Sequence, residues 1–414
     1  MKLLKDVLKE IKPTKEEEKK VLDSVNSVLK RINKNLRYAK AVLGGSGEKG
    51  TWLKGLPDMD IFVLFDYERF KNKSNKLSDI LEKRLRKSFH KLIRIHGSRD
   101  YFQIKEKDFT YEIVPILDIK KPEHAKNITD MSPLHTLWVK KHKKFVDEIR
   151  LTKKFCKSAD VYGAESYIQG FSGYICEILT VYYKGFLNLV RNAAKWREKV
   201  IIDIKGYYKN KDVLMELNKS KTYSPLIVID PVQKDRNAAA ALNKGKFEKF
   251  RLNCKNFLKK PSKTFFEEKK TTIEELRKKA KKNKLIIINI KVPKGKEDIV
   301  GCRLLKDLKL INKELINLDF KVKNFGWSWD KKDKAFFYFI TDKKELPLEK
   351  EWAGPPLNEK EHVKVFKKKY KNIFIKKNRV YTILKRKFTK PENCVSSLIK
   401  DKTVKCKIKE VKIL

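Results

Sequence analysis

The stretch AVLGGSGEKGTWLKGLPDMDIFVLF, residues 41–65, gathers several groups that could do chemistry. Asp58 and Asp60 stand two positions apart where the chain turns strongly apolar. Residues i and i+2 of a strand point to one face, about 6.7 Å apart along the chain, so the two carboxylates converge. Like charges that close repel, which raises one pKa unless a cation lies between them. Mg²⁺ removes the conflict, because it favours carboxylates together with substrate phosphates. Two such ions can activate a hydroxyl and stabilise a leaving pyrophosphate. Twelve residues before Asp58 comes Ser46, the end of Gly44-Gly45-Ser46. That turn offers backbone N–H groups and a hydroxyl, and its glycines let a phosphate approach closely. Downstream, TYEIVPIL puts Glu112 at the start of a second apolar strand, where it would complete a carboxylate triad with Asp58 and Asp60. Taken singly, each feature has a plainer reading: Pro57-Asp58 as a turn, GGS as a common turn, Glu112 as an edge-strand residue.

These groups need elements to hold them. Val21, Val25, Val28, Leu29, Ile32 and Leu36 recur at helical spacing and predict a helix over 17–39. A short apolar run at Ala41–Leu43 and a strand at Asp60–Phe65 flank the glycine-rich turn. A lysine-rich helix is expected over Leu77–Arg94, with strands near Tyr101–Ile104 and Thr110–Leu117. From Val146 to about Pro261 the pattern turns helical. There YGAESYIQGFSGYICEILTVYYKGFLNLV suits a buried helix that its neighbours pack closely. Lys205–Thr222 reads as a polar loop. PLIVIDPVQKDRNAAAAL reads as a strand, a turn and a helix start with Asn237 as N-cap. After Pro261 a separate unit follows: a strand at Leu285–Val292, a helix at Cys302–Leu318 and strands at Val322–Trp329 and Ala335–Thr341. AGPPL, Ala353–Leu357, reads as a breaker, and Glu359–Leu414 as basic helix and strand.

Length and composition bound the rest. A chain of 414 residues exceeds one compact core, so roughly two to four domains are expected. Its 100 Lys+Arg against 52 Asp+Glu give a formal net charge of +48. That field attracts polyanions, nucleic acid above all; biased composition accounts for part of the excess, since lysine is spread along the whole chain. The sequence has no long apolar run, and charges break the N-terminal MKLLKDVLKEIKP. A soluble, cytoplasmic protein with no membrane contact is therefore expected. Six cysteines without a CxxC pair argue against a zinc ribbon or a disulfide framework.

GS, a DxD about a dozen residues later and a carboxylate on a later strand together resemble the nucleotidyltransferase superfamily. The blocks GGSGEKGTWLKGLPDMDIFV, EIVPIL, SPLHTLWV, DEIRLTKKFCKSADVYGAESYIQGFSGYICEIL and PLIVIDPVQKDRNAAAAL narrow this. With AGPPL and RVYTILKRKFTKPENCV they are similar, in order and over nearly the whole chain, to the archaeal (class I) CCA-adding enzymes. The resemblance implies an α/β and α+β multidomain protein. Residues 1–145 would be the catalytic head and 146–262 a largely helical nucleotide-recognition domain. Residues 263–414 would be a tRNA-binding body and tail, the tail at about 284–350. It implies CCA addition to tRNA 3′ ends from CTP and ATP without a nucleic-acid template, repair of incomplete ends, and a homodimer. The alternatives are a poly(A)-type polymerase or oligoadenylate synthetase of the same superfamily, or an inactive RNA-binding relative.

Carried over residue by residue, Asp58, Asp60 and Glu112 would hold two Mg²⁺ ions, and Gly45 and Ser46 would touch the triphosphate. Lys49 would meet phosphate. Ser132, His135, Lys153 and Tyr162 would contact the nucleotide, and Arg236 would help read the base. Outside the family pattern, Lys153 reads as one lysine of a solvated face, Tyr162 and His135 as core residues, and Arg236 as a helix cap or a partner of Asp230. Three positions depart from the pattern: Glu112 for aspartate, Lys49 for arginine and Ser132 for threonine. Lysine keeps the charge and loses the bidentate fork. In the basic segment Lys364–Lys390, Phe366, Tyr370, Phe374, Tyr381 and Phe388 alternate with lysines and arginines. The cations suit phosphates and 2′-hydroxyls of an A-form helix; part of the aromatics would stack on bases and at least half belong to the core. In the family this region grips the acceptor stem and TΨC arm.

Overall fold

Thr14 starts the first long helix. Its side chain accepts from Glu17 N while the Glu17 carboxylate accepts the Thr14 N–H, a capping box that satisfies two orphan donors. The computed structural model describes residues 2–55, 58–106, 108–268, 271–342, 344–400 and 404–414, and the chain divides into two compact units, Met1–Lys269 and Lys270–Leu414.

In the first unit, β1 (Ala39–Leu43), β2 (Met59–Phe65), β3 (Ile93–Ile95), β4 (Tyr101–Glu106) and β5 (Phe109–Leu117) form a sheet in the order β1-β2-β5-β4-β3. Only β2 and β5 run parallel. Helices α2 (Lys15–Asn33) and α5 (Leu77–Leu85) bury Val25, Val28, Leu77 and Leu81 against Ile61, Val63, Phe102 and Ile113 of the sheet. Helix α2 ends at Asn33 and not at 39. The Asn33 side chain accepts from Ala41 N (2.8 Å) and donates to Ala41 O (3.1 Å), so the chain is pinned to β1 there. The helix expected over Leu77–Arg94 is also shorter. Beyond Leu85 the chain drops Phe89 into the core, and Ile93–Ile95 pairs with β4 as an edge strand.

A second core in the same unit belongs to the helices α1 (Lys2–Ile11), α6 (Ser132–Lys140), α7 (Val146–Ser158), α8 (Gly173–Tyr182), α9 (Phe186–Ala193) and α12 (Lys244–Lys259). Val7 and Ile11 of α1 pack here and not on the head sheet. The apolar stretch from Tyr162 is not one helix. Gly163 donates to Phe171 O and Phe171 to Val161 O, so two backbone segments pass closely before α8 begins. A Cβ at Gly170 would overlap Val161 O, which explains the small residue there. After α8 the chain breaks at Lys184 and Gly185, whose φ values are 58° and 124°. Lys205–Thr222 contains two single helical turns, α10 (Val213–Glu216) and α11 (Lys219–Thr222). Strands β6 (Val200–Asp203) and β7 (Leu226–Ile229) pair in parallel.

No helix starts at Asn237. Its buried side chain accepts from Val228 N (2.9 Å) and Ala239 N (2.8 Å) and donates to Lys221 O (2.8 Å), binding three segments together. The N-cap of α12 is Asn243, whose side chain accepts from Lys246 N.

In the second unit β8 (Lys284–Lys291), β9 (Val322–Trp329), β10 (Lys334–Thr341) and β14 (Lys407–Ile413) form an antiparallel sheet ordered β14-β8-β10-β9. The helix α14 (Glu297–Asn317) buries Leu304, Leu308 and Ile311 against it. A three-stranded sheet joins β11 (Glu349–Pro356), β13 (Arg379–Lys385) and β12 (Ile373–Lys376). The AGPPL segment does not break structure here. Its prolines end an edge strand at a register shift, where missing N–H groups cost no ladder bond. Helix α15 (Lys360–Lys369) packs Val363 and Phe366 on Val380, covering one face of this sheet. Phe366, Tyr370 and Phe388 join cores, whereas Phe374 and Tyr381 stack on each other at 5.8 Å.

Candidate active site

Strand β2 carries Asp60 as its second residue, and its neighbour β5 sets Glu112 directly opposite in the parallel register. Gln103, from β4 on the other side of β5, donates to Glu112 Oε1 at 3.5 Å. Asp58 is exposed one residue before β2. Leu56 and Pro57 lie outside the described residues, so the Pro57-Asp58 turn is not described.

The glycine-rich turn hangs from the same strand: Gly44 N donates to Asp60 O at 2.8 Å. Gly45 has φ +53° and opens the short helix α3 (Gly45–Lys49). A side chain at Gly45 would overlap the Asp60 carboxylate, and one at Gly44 would overlap the Phe62 ring. Glycine is needed here for its conformation and for the approach of backbone to carboxylate. Ser46 follows in the first turn of α3, and its carbonyl accepts from Thr51 N.

Burial pushes the Asp60 carboxyl up to about 6; Lys49 and Lys153 pull it down and Asp58 adds to the rise. Among the described residues no three His, Cys, Asp or Glu side chains converge closely enough to form a ready-made metal cage. The donor chemistry nevertheless suits a hard divalent cation. Two carboxylates are paired in register, a third precedes them, and the side-chain-free backbone of Gly45 lies directly against the Asp60 carboxylate.

Helix α8 supplies a group that motif reasoning passed over. Glu177 is almost fully buried, and its Oε2 accepts from Lys49 Nζ at 2.8 Å. Its Oε1 accepts from Lys153 Nζ (2.8 Å) and Thr51 Oγ1 (2.9 Å), and Lys153 also donates to Thr51 Oγ1. Burial pushes the Glu177 carboxyl up, but the two lysines outweigh it and hold it at about 2. Lys153 is therefore a buried ion-pair residue and not part of a solvated lysine face. Tyr162 lies beside it: a Cβ at Gly173 would meet the Tyr162 hydroxyl at 2.9 Å and Lys153 Cε at 3.6 Å.

A second buried carboxylate gathers the remaining residues. Asp230 Oδ2 takes Arg236 Nη1 at 2.5 Å and lies 3.1 Å from His135 Nε2. Its Oδ1 accepts from Tyr174 Oη (3.1 Å) and Val232 N (2.9 Å). Burial raises this carboxyl, yet His135, Arg236 and the Val232 N–H hold it down at about 2. Burial lowers the pKa of His135, with Asp230 opposing. The His135 ring stacks on Tyr174 with centroids 4.2 Å apart. Ser132 opens α6, the helix that carries His135, and Asp130 just before it is bound by Arg99 and by the N–H groups of Leu117, Lys126 and Asn127.

The sequence alone pointed to eleven residues here, and they fall into three groups. Asp58, Asp60, Glu112, Gly45 and Ser46 gather at the mouth of β2. Lys49 and Lys153 meet on Glu177, with Tyr162 alongside. His135 and Arg236 meet on Asp230, and Ser132 starts the helix of His135. Glu177, Thr51 and Tyr174, which link these groups, are not among the eleven. The signal was present in GYICEILTVY, where a lone carboxylate in an apolar helix requires a buried cation.

Comparison with known proteins covers nearly the whole chain. Residues 23–135 match the family described as a nucleotidyltransferase domain, 147–267 the second domain of tRNA nucleotidyltransferase, and 281–412 the C-terminal domain of CCA-adding enzyme. The CCA-adding enzyme of Nanoarchaeum equitans is 36% identical over 385 residues, 91% of this chain and 92% of that protein. That of Methanocaldococcus jannaschii is 32% identical over 405 residues, covering 94% and 88%. Among solved structures, a cytoplasmic RNA terminal U-transferase superposes with a TM-score of 0.51 at 16% identity, covering 66% of this chain and 98% of that one. A poly(U) polymerase gives 0.52 at 16% identity, covering 65% and 98%. At that identity the likeness is one of fold.

Proposed function

We propose a division of labour among these residues that proceeds from one premise: this chain belongs to the CCA-adding enzyme family, and it adds CCA to the 3′ end of tRNA. The poly(A)-type, oligoadenylate-synthesising and inactive alternatives are not favoured, because the relatives matched over most of their length are CCA-adding enzymes.

The register pair Asp60–Glu112, beside the bare α-carbon of Gly45, carries the assignment. Asp58, Asp60 and Glu112 would hold two Mg²⁺ ions, which when bound lower the pKa of the tRNA 3′-hydroxyl and steady the departing pyrophosphate. Gly45 and Ser46 present backbone N–H groups to the triphosphate of CTP or ATP. Lys49 and Lys153 balance phosphate charge, and Tyr162, Ser132 and His135 line the nucleotide. Arg236, its side chain partly exposed and held by Asp230, reads the base together with the RNA backbone. No nucleic-acid template enters; catalysis is positioning and charge stabilisation. The same chemistry repairs incomplete ends. Lysines of α15 and the stacked Phe374 and Tyr381 contact the tRNA acceptor stem and TΨC arm by shape. With tRNA as substrate, the enzyme works in the cytoplasm.

The test is single substitution of the carboxylates. Asp58→Ala, Asp60→Ala and Glu112→Ala should each lower nucleotide incorporation by about a thousandfold or more, as loss of several kcal/mol of transition-state stabilisation requires. Filter binding should show tRNA affinity nearly unchanged. Incorporation close to the wild-type rate in any of the three would remove that residue from the assignment.

A further inference from the structure

We infer that Glu177 is a positioning residue for the nucleotide triphosphate: it stations Lys49 and Lys153, which come from different elements, at one fixed site beside the Gly45–Ser46 turn. The inference rests on the assignment of those two lysines to phosphate.

The geometry divides the work between the two carboxylate oxygens. Oε2 takes Lys49, at the C-terminal end of α3. Oε1 takes Lys153 of α7 and Thr51, the residue that follows the left-handed Gly50 cap of α3. The side chains of Lys49, Lys153 and Glu177 are 11%, 5% and 1% exposed. Neither lysine could be buried there without a counter-charge. A buried ion cluster is seldom the most stabilising solution, since apolar groups of equal volume do as well or better. What it supplies here is fixed placement. Two cations on one carboxylate leave a net charge of +1, and both lysines lie close enough to Asp60 to lower its pKa. The cluster is also linked to the base-reading end. Tyr174 and Glu177 are three residues apart, on one face of α8. Tyr174 binds Asp230, and Lys49 Nζ lies 5.3 Å from the centre of its ring. One helix face thus holds the phosphate-side lysines and the Asp230–His135–Arg236 group in a common frame.

Glu177→Asp keeps the charge but shortens the reach by a methylene, so it cannot meet both lysines at their present positions. Steady-state incorporation on tRNA lacking its 3′ end, with CTP, ATP and tRNA each varied, reads the effect. The KM for CTP and for ATP should rise together, on the order of ten- to a hundredfold. The KM for tRNA should hold near the wild-type value. Thr51→Val, which alters no charge, should move both nucleotide KM values in the same direction by less, and it carries the test should Glu177→Asp fail to fold. Unchanged nucleotide KM values in the folded variants would overturn the inference, as would an equal loss for tRNA. Lys49→Met separates the two readings. If it leaves the nucleotide KM unchanged, the lysine assignment itself fails; if it raises KM while Glu177→Asp does not, only the role of Glu177 fails.

Discussion

At Gly45 a φ of +53° and the close approach of the Asp60 carboxylate leave room for hydrogen alone. Gly45→Ala would force a strained backbone and push Asp60 off its position. The expected result is a stability loss of about 1–3 kcal/mol. Incorporation should fall on the order of a hundredfold, because an ångström-scale displacement of a reacting group suffices for that. Rapid-quench incorporation at a temperature where the variant remains folded checks it; an active Gly45→Ala enzyme contradicts it. Glu177 gives a pH signature. Its carboxyl is held at about 2 against an ordinary 4.5, so the native state binds fewer protons than the unfolded one. The stability it contributes is therefore fully present above about pH 4.5 and is lost as the pH falls toward 2. A shift of that size corresponds to about 3 kcal/mol. Denaturant unfolding across this range should show that loss in the wild-type protein. In Glu177→Gln the slope should be shallower, retaining the part that Asp230 contributes; an identical slope would contradict the buried ion pair.

Among elements, the segment from β7 to α12 shows where side-chain chemistry overrides local pattern. Asn237 carries the residue type of a helix N-cap, yet its side chain joins Val228, Ala239 and Lys221 across the turn. Asn237→Ala leaves those buried backbone groups unpaired and should cost about 2–4 kcal/mol. Chemical denaturation measures this; a loss below about 1 kcal/mol, the cost of a helix cap, would contradict it. The central strands were legible because β2 and β5 are buried runs with carboxylates at their mouths, and Asp60 opposite Glu112 follows from that pattern. Asn33 and Ile93 show what was not. The length of α2 depends on a side chain pairing with β1, and the fate of Ile93–Ile95 on an edge that only β4 supplies. Long-range pairing has no local signature. The stretch from Tyr162 reads as one buried helix, whereas Gly163 and Gly170 let two backbone segments lie side by side before α8. Within the site, the pairing of Arg236 with Asp230 is one of the readings the sequence offers, and the structure has it. That His135 joins them, and that Lys49 and Lys153 meet on Glu177, depends on α6, α7 and α8 being in place.

Across the whole chain, the dominant property is a formal charge of +48, combined with the absence, among the described residues, of any helix long and apolar enough to cross a membrane. A field of that sign accelerates encounter with tRNA and binds it through counterion release. Affinity for tRNA should fall on the order of a hundredfold or more between about 50 and 200 mM salt. Replacing Lys364, Lys367 and Lys368 on α15 with glutamine should reduce the slope of that dependence without altering the KM for CTP. An unchanged slope would exclude this helix from the RNA contact. The central claim, template-independent CCA addition, is tested most directly by incubating the purified protein and Mg²⁺ with tRNA lacking its 3′ end, supplying CTP and ATP singly and together, and resolving the products at single-nucleotide length. The account predicts two C residues from CTP alone and a single A added after them when ATP is present. A long A tail, oligomers made without tRNA, or no incorporation at all would contradict it.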